Sequence, residues 1–224
     1  MTLDGRTFLS TTVQAHDLVP GSTIRLSLRD GRLGVSAGCN QMSGSYAVVD
    51  GRLTTGQMMT TEMGCDPPLM TQDTWVAGFL DGATIVLAGE TLTLTQDGVT
   101  MTLTDRKVAD PDRPLEGTRW VVDGIVAGDA VSSVPGGVTA SIIIENGQML
   151  VDTGCNTGSA TVVTTDSTMT IGPLVLTKKA CAPAAASVEQ AVVATLAGPV
   201  RYEIEADSLT LSADGSGLML RAAS

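Results

Sequence analysis

Ile24, Leu26 and Leu28 alternate with Thr23, Arg25, Ser27 and Arg29, a period of two that puts the apolar set on one face of a β-strand and the polar set on the other. Asp30-Gly31 follows at once, and Leu33 and Val35 resume the alternation, so the segment predicts a hairpin around a tight turn. Asn146-Gly147 offers the same turn later in the chain, and Asp97-Gly98 separates Thr91-Leu92-Thr93-Leu94-Thr95 from Thr100-Met101-Thr102-Leu103-Thr104. These segments predict meandering antiparallel strands whose Thr residues form a solvated face. The period changes after Cys65. Pro67-Pro68 can open a helix, and Leu69, Gln72, Asp73, Val76, Phe79 and Leu80 keep roughly helical spacing until Asp81-Gly82 stops it. Val188, Val192 and Leu196 repeat that spacing between Pro183 and Gly198-Pro199.

The pattern occurs twice because the chain is a duplication. Gly38-Cys39-Asn40 recurs as Gly154-Cys155-Asn156 and Cys65 as Cys181, both 116 residues further on, and 53–65 aligns without gaps on 169–181. Leu3 to Phe8 resembles Leu115 to Trp120, Val19-Pro20-Gly21 resembles Val134-Pro135-Gly136, and Asp97-Gly98 corresponds to Asp214-Gly215. Two domains are expected, 1–106 and 115–224, with 107–114, charged and proline-containing, as the linker. The expected fold class is α+β: two tandem repeats, each a curled, barrel-like antiparallel β-sheet with one packed α-helix.

Composition narrows the partners. Apolar residues make up 43% of the 224, but only 2 Phe, 2 Trp and 2 Tyr are present, so each core must be built from Val, Ile, Leu and Met. Formal charge is −11, from 13 basic and 24 acidic residues. That balance argues against nucleic acid, whose phosphates need clustered Lys and Arg, and against an anionic membrane surface. No apolar run approaches the roughly 20 residues that span a bilayer, and Met1 to Gly5 lack the basic and apolar regions of a signal peptide.

The candidate chemistry rests on Cys39, Cys65, Cys155 and Cys181, one equivalent pair per copy with its partners 26 positions apart. Two thiols per copy fall short of a zinc site, and a catalytic cysteine needs a base. His16, the single histidine, has no counterpart in the second copy and reads as a solvated loop residue. A disulfide in each copy, Cys39–Cys65 and Cys155–Cys181, suits domains with little core, at roughly 3 kcal/mol per bridge in the chain-entropy model. Two buried free thiols are the alternative. Met42, Met58, Met59, Met63 and Met70 suggest a soft-metal set, but Leu174 and Val175 replace Met58 and Met59 in the second copy, so core filling is the expected role. Neither GxxxxGK[ST] nor GxGxxG follows a strand. No catalytic residue, cofactor or metal is expected, and the chain is read as a non-enzyme.

Gly38-Cys39-Asn40 with Ser43-Gly44-Ser45-Tyr46, then Thr61 to Cys65, a helix and a final Leu-x-Leu hairpin, resemble the META domain family, which includes HslJ-like envelope lipoproteins. The second copy keeps Thr177 and Cys181, lacks the tyrosine, and reads as about two residues shorter after Asn156. The resemblance implies an extracytoplasmic protein of the cell envelope, secreted or held by a lipidated N-terminal cysteine that this chain does not contain. The signal segment, ending in that cysteine, is expected upstream of Thr2. The family is linked to stress and antibiotic resistance without an established catalytic activity. The expected function is a binding or interaction module in envelope stress or maintenance, with an envelope protein or a small ligand as partner. Asn40, Gln41, Met42, Ser43 and Tyr46 form a possible binding loop, although Asn40 and Asn156 are expected mainly to hydrogen-bond the backbone of their own tight turn. Two alternatives are a small-ligand or inhibitor-type binder, using the concave face of the sheet or a groove between the copies, and a thiol redox protein with an exposed cysteine pair.

Overall fold

The alternating segments become strands in register with their predicted turns. The computed structural model describes residues 2–223; Met1 and Ser224, the outer limits expected for the two domains, lie outside them. The chain divides into two units, Met1–Pro111 and Asp112–Ser224. In the first, the strands are β1 (Arg6–Gln14), β2 (Arg25–Arg29), β3 (Arg32–Ser36), β4 (Gln41–Val49), β5 (Arg52–Thr55), β6 (Met59–Thr60), β7 (Thr84–Ala88), β8 (Thr91–Gln96) and β9 (Val99–Asp105). Helix α1 (Pro67–Leu80) lies between β6 and β7, and the short α2 (Arg106–Ala109) follows β9. The β2 and β3 strands pair from Arg25 with Ser36 to Arg29 with Arg32. Asp30 (φ 51°) and Gly31 (φ 70°) are both left-handed between them, as a two-residue turn of this twist requires.

The sheet runs β3-β2-β1-β9-β8-β7-β5-β4 and β4 pairs with β3 again, so eight strands close on themselves while β6 lies beside β4. Closure removes the exposed strand edges. β1 carries a register shift between Ser10 and Thr12 opposite β9, which adds the local bend a small ring needs.

The second unit repeats this with β10 (Trp120–Ala127), β11 (Ala130–Ser133), β12 (Ser141–Glu145), β13 (Gln148–Asp152), β14 (Thr157–Thr164), β15 (Thr168–Ile171), β16 (Val175–Leu176), β17 (Val200–Glu205), β18 (Ser208–Ala213) and β19 (Ser216–Ala222), with α3 (Pro183–Thr195) after β16. The ring is β10-β12-β13-β14-β15-β17-β18-β19, closed by β10 with β19, while β11 and β16 lie beside β10 and β14. The register shift recurs between Val122 and Gly124.

Inward-facing residues fill both rings. Phe8, Leu26, Leu28, Leu33, Leu92, Leu94, Met101 and Leu103 are buried in the first, where Val76 and Leu80 of α1 join them. Trp120, Ile142, Ile144, Met149, Leu211 and Leu218 occupy the second, with Val188 and Val192 of α3. Each such side chain contributes about 1.5–3 kcal/mol relative to exposure. The concave faces are therefore packed cores, which corrects the expectation that a ligand could use the inside of the sheet. Trp120 satisfies its indole N–H with the Leu115 carbonyl at 3.2 Å.

Two further expectations change. Among the described residues, three helices beside nineteen strands make the units mostly β, so the α+β description holds only loosely. Part of the stretch read as linker is ordered structure, because the Asp105 carboxylate accepts the Lys107 N–H at 2.9 Å and caps α2.

Candidate functional site

The turn after β3 meets α1 at close range. A Cβ on Gly38 would lie 3.0 Å from the Leu69 carbonyl oxygen, so glycine is what lets the turn reach the helix. Beyond it the disulfide Cys39–Cys65 closes with Cα atoms 6.0 Å apart, and Cys155–Cys181 does the same at 5.8 Å.

Asn40 is 8% exposed and acts as a clamp. Its Oδ1 accepts the Thr61 hydroxyl at 2.9 Å and the Met63 N–H at 2.8 Å. Asp73 of α1 takes the Asn40 backbone N–H at 2.8 Å, the Asn40 side-chain amide at 3.4 Å and the Cys39 N–H at 3.3 Å. Thr61 Oγ1 in turn accepts the Gln41 N–H at 3.1 Å. One asparagine thus ties the strand-end turn, the segment before Cys65 and the helix together. Its partners are 20 or more residues away, which corrects the expectation of a bond inside its own turn. On the next helical position, buried Gln72 accepts the Val19 N–H at 2.6 Å and donates to Ser22 Oγ at 2.9 Å and to the Ala37 carbonyl.

The second unit builds the clamp differently. Asn156 Oδ1 accepts the Thr177 hydroxyl at 2.7 Å and the Lys179 N–H at 2.8 Å. Its backbone N–H goes to Thr153 Oγ1 at 2.9 Å, and Thr153 donates to Glu189 at 2.6 Å. The Asn156 amide reaches Glu189 Oε1 at 3.2 Å. Hydrogen bonds from Thr153 first and Asn156 second hold the Glu189 carboxyl below the usual glutamate range, against the opposing effect of burial. Cys155, Cys181 and Glu189 offer ligand atoms within 4.8 Å of one another, but the two sulfurs are bonded to each other and supply no thiolate for a metal.

A groove of about 580 Å³ opens beside the first clamp. Its lining includes Asn40, Met42, Met58, Met63, Met70 and Asp73, with Thr60 to Gly64 along one wall and Thr74 and Ala77 of α1 along the other. Met63 and Met70 are 55% and 45% exposed, and Met59 is 63% exposed. These three methionines are surface residues, contrary to the core-filling expectation, while Met42 and Met58 pack against the core.

The expected binding loop is a strand. Gln41 to Val49 form β4, because Ser36 to Arg32 and Thr55 to Arg52 flank it with complete ladders and Met42, Gly44 and Tyr46 turn inward. Of the five residues proposed for that loop, Asn40 and Met42 line the groove; Gln41, Ser43 and Tyr46 do not. Nor is the second copy shorter: Met149 pairs with Ala160 as Leu33 pairs with Gly44, so Gly158 stands where Met42 does. A Cβ on Gly158 would lie 1.9 Å from the Val175 carbonyl oxygen and 2.8 Å from Leu176. His16, expected to be solvated, is half-buried and stacks on Trp75 at 3.6 Å.

Asp73 and Glu189 were not singled out from the sequence as site residues. The repeat carried the signal, since they stand 116 residues apart like the asparagines, but a carboxylate on a helix reads as solvated until a turn is placed against it.

The family model for the META domain matches residues 1–108 and 113–224. An NMR structure of a protein from Burkholderia xenovorans is 23% identical over 46% of this chain and 83% of its own, with a TM-score of 0.39. A second NMR structure is 24% identical over 46% and 94%, with a TM-score of 0.38. The DNA polymerase III beta chain from Streptococcus pneumoniae TIGR4 aligns over 97% of this chain and 57% of its own at 9% identity and a TM-score of 0.18. No curated protein matches the chain.

Proposed function

The chain belongs to the META domain family as two tandem copies, and from that premise we propose that it is a non-enzymatic binding module of the cell envelope whose first copy carries the binding site. Two closed disulfides and the family both point to an extracytoplasmic setting, because such bridges persist in oxidising compartments. A role in envelope stress or maintenance, with the protein secreted or lipid-anchored, is the setting we propose for it.

The observation that carries the reading is the groove beside Asn40. Its volume of about 580 Å³ falls within the roughly 300–1,000 Å³ of small-molecule sites, and flexible methionines at its surface suit an adaptable apolar contact. It adjoins a packed core and a clamp whose polar groups are engaged with one another, an arrangement suited to holding a surface in place. Nile red, a neutral environment-sensitive dye, tests this on the full chain. One saturable site per chain is expected, lost in the double variant Met63→Lys/Met70→Lys and kept in Lys179→Ala. Dye binding that survives the double variant overturns the assignment.

A further inference from the structure

The groove combines two properties that together define a ligand class. Met42, Met58, Met63, Met70 and Ala77 give it an apolar body. Its two titratable lining residues are carboxylates, Glu62 and Asp73, and among the described residues no Lys, Arg or His lines it. Asp73 is 5% exposed, and the described groups donating to it, the Cys39 and Asn40 backbone N–H and the Asn40 amide, are all neutral. A buried carboxylate with neutral donors leaves its charge uncompensated, and the low dielectric beside it strengthens its attraction for a cation. Glu62, exposed on the rim, adds a second negative charge at the entrance.

The second copy reverses both properties. At 116 residues on, Glu62 becomes Lys178, Met63 becomes Lys179 and Met70 becomes Ala186. Two ammonium groups stand where the first copy has a carboxylate and a thioether. Lys178 and Lys179 would repel a cation that the first copy attracts.

We infer that the first-copy groove binds a lipophilic organic cation, a small molecule with an apolar body of about ten carbons and one ammonium group, the body among the methionines and the charge toward Asp73 and Glu62. This rests on the binding reading above and adds the charge of the ligand to it. The occupant is taken to be a small molecule because a volume of about 580 Å³ lies within the range of small-molecule sites.

Full-length protein carrying [13C]methyl-methionine is titrated by NMR with decyltrimethylammonium, decanoate and decyl maltoside, each below its micelle concentration. The cation is expected to shift the methyls of Met42, Met58, Met63 and Met70 saturably and to bind about ten-fold tighter than decanoate, the ratio a Coulomb term near 1.4 kcal/mol gives. Glu62→Lys, at an exposed position that leaves the clamp intact, should weaken the cation about ten-fold and improve decanoate. Equal binding of all three probes, with Nile red still bound, overturns the charge inference and leaves the groove standing. Loss of Nile red together with all three probes overturns the groove itself. A Lys-rich amphipathic peptide that outcompetes decyltrimethylammonium, with shifts beyond the four methyls, overturns the small-molecule occupant.

Discussion

Asn40 and Asn156 perform one task with two different sets of neighbours. In the first unit Asp73 takes the backbone N–H groups of Cys39 and Asn40 directly, and the residue three before Asn40 is Ala37, which needs only its carbonyl. In the second, Thr153 stands at Ala37's place, accepts the Asn156 N–H and donates its own hydroxyl hydrogen bond to Glu189. The Asp-with-Ala and Glu-with-Thr pairs are alternative solutions to one requirement, that a buried N–H at a strand end find an acceptor. What both units keep is the asparagine carbonyl receiving a threonine hydroxyl and an N–H from the segment before the second cysteine. That bond set is common to both units, while the carboxylate behind it is an aspartate in one and a glutamate in the other.

The comparison breaks most visibly if each carboxylate is removed. Asp73→Ala leaves two backbone N–H groups without an acceptor in a buried site, at about 1–3 kcal/mol each, so a loss of about 4 kcal/mol is expected. Glu189→Ala strands less: the Thr153 hydroxyl can turn its proton to the Asn156 carbonyl, 2.9 Å away, and the Asn156 amide keeps the Lys179 carbonyl at 3.4 Å. Its expected effect is about 1 kcal/mol. Denaturant titration of both full-length variants, with hydrogen exchange read separately over 37–66 and 153–182, checks the ratio. Equal losses would mean that the carboxylates, not the asparagines, are the fixed element.

The two strand-end surfaces differ through a second pair, Met42 and Gly158. Where the first unit fits a methionine between β4 and the following segment, the second brings the Val175 carbonyl to within 1.9 Å of where a Cβ would sit. Gly158→Ala therefore meets backbone rather than a movable side chain and should destabilise the second unit by about 3 kcal/mol, the upper end of ordinary overpacking, or detach β16. Protection of the Leu176 and Thr177 amides from exchange should fall first. An alanine tolerated there would mean that the Val175 carbonyl can move aside, and that backbone contact is not what separates Gly158 from Met42.

How far these features could be read from the sequence differs by scale. Period-two alternation, the Asp-Gly and Asn-Gly turns and the paired cysteines are local signals, and both helices begin and end beside their proline and glycine markers. The duplication extended each of them to the other copy. The closure of each sheet was legible only as a curl, since pairing of β1 with β9 joins segments some 90 residues apart. Gly38 and Gly44 made the start of β4 look like a loop; Gly44 is there because Met58 and the Gln57 carbonyl approach it, at 2.7 and 3.1 Å from a would-be Cβ. The groove was illegible because two of its methionines, Met63 and Met70, read as core until α1 and the segment before Cys65 are set side by side.

The smallest effect sharpens the same contrast through pH. Thr153 and Asn156 donate to the ionised Glu189, and their bonds hold its carboxyl below the usual range in the folded chain. A group whose folded value is depressed contributes stability above its unfolded value, and that contribution is lost as pH falls through the depressed one. The second unit should accordingly lose a little stability on acidification below the ordinary glutamate range. Glu189→Gln should flatten that slope, because the glutamine carbonyl still accepts from Thr153 and no longer titrates. The effect is modest because Glu189 is only half-buried, so solvent screens the interaction. Melting the full chain and the variant from pH 6 to pH 3, with exchange read over 153–189, measures it. An unchanged slope in Glu189→Gln would place the acid sensitivity elsewhere and leave Thr153 as the acceptor that matters, with the carboxylate behind it dispensable.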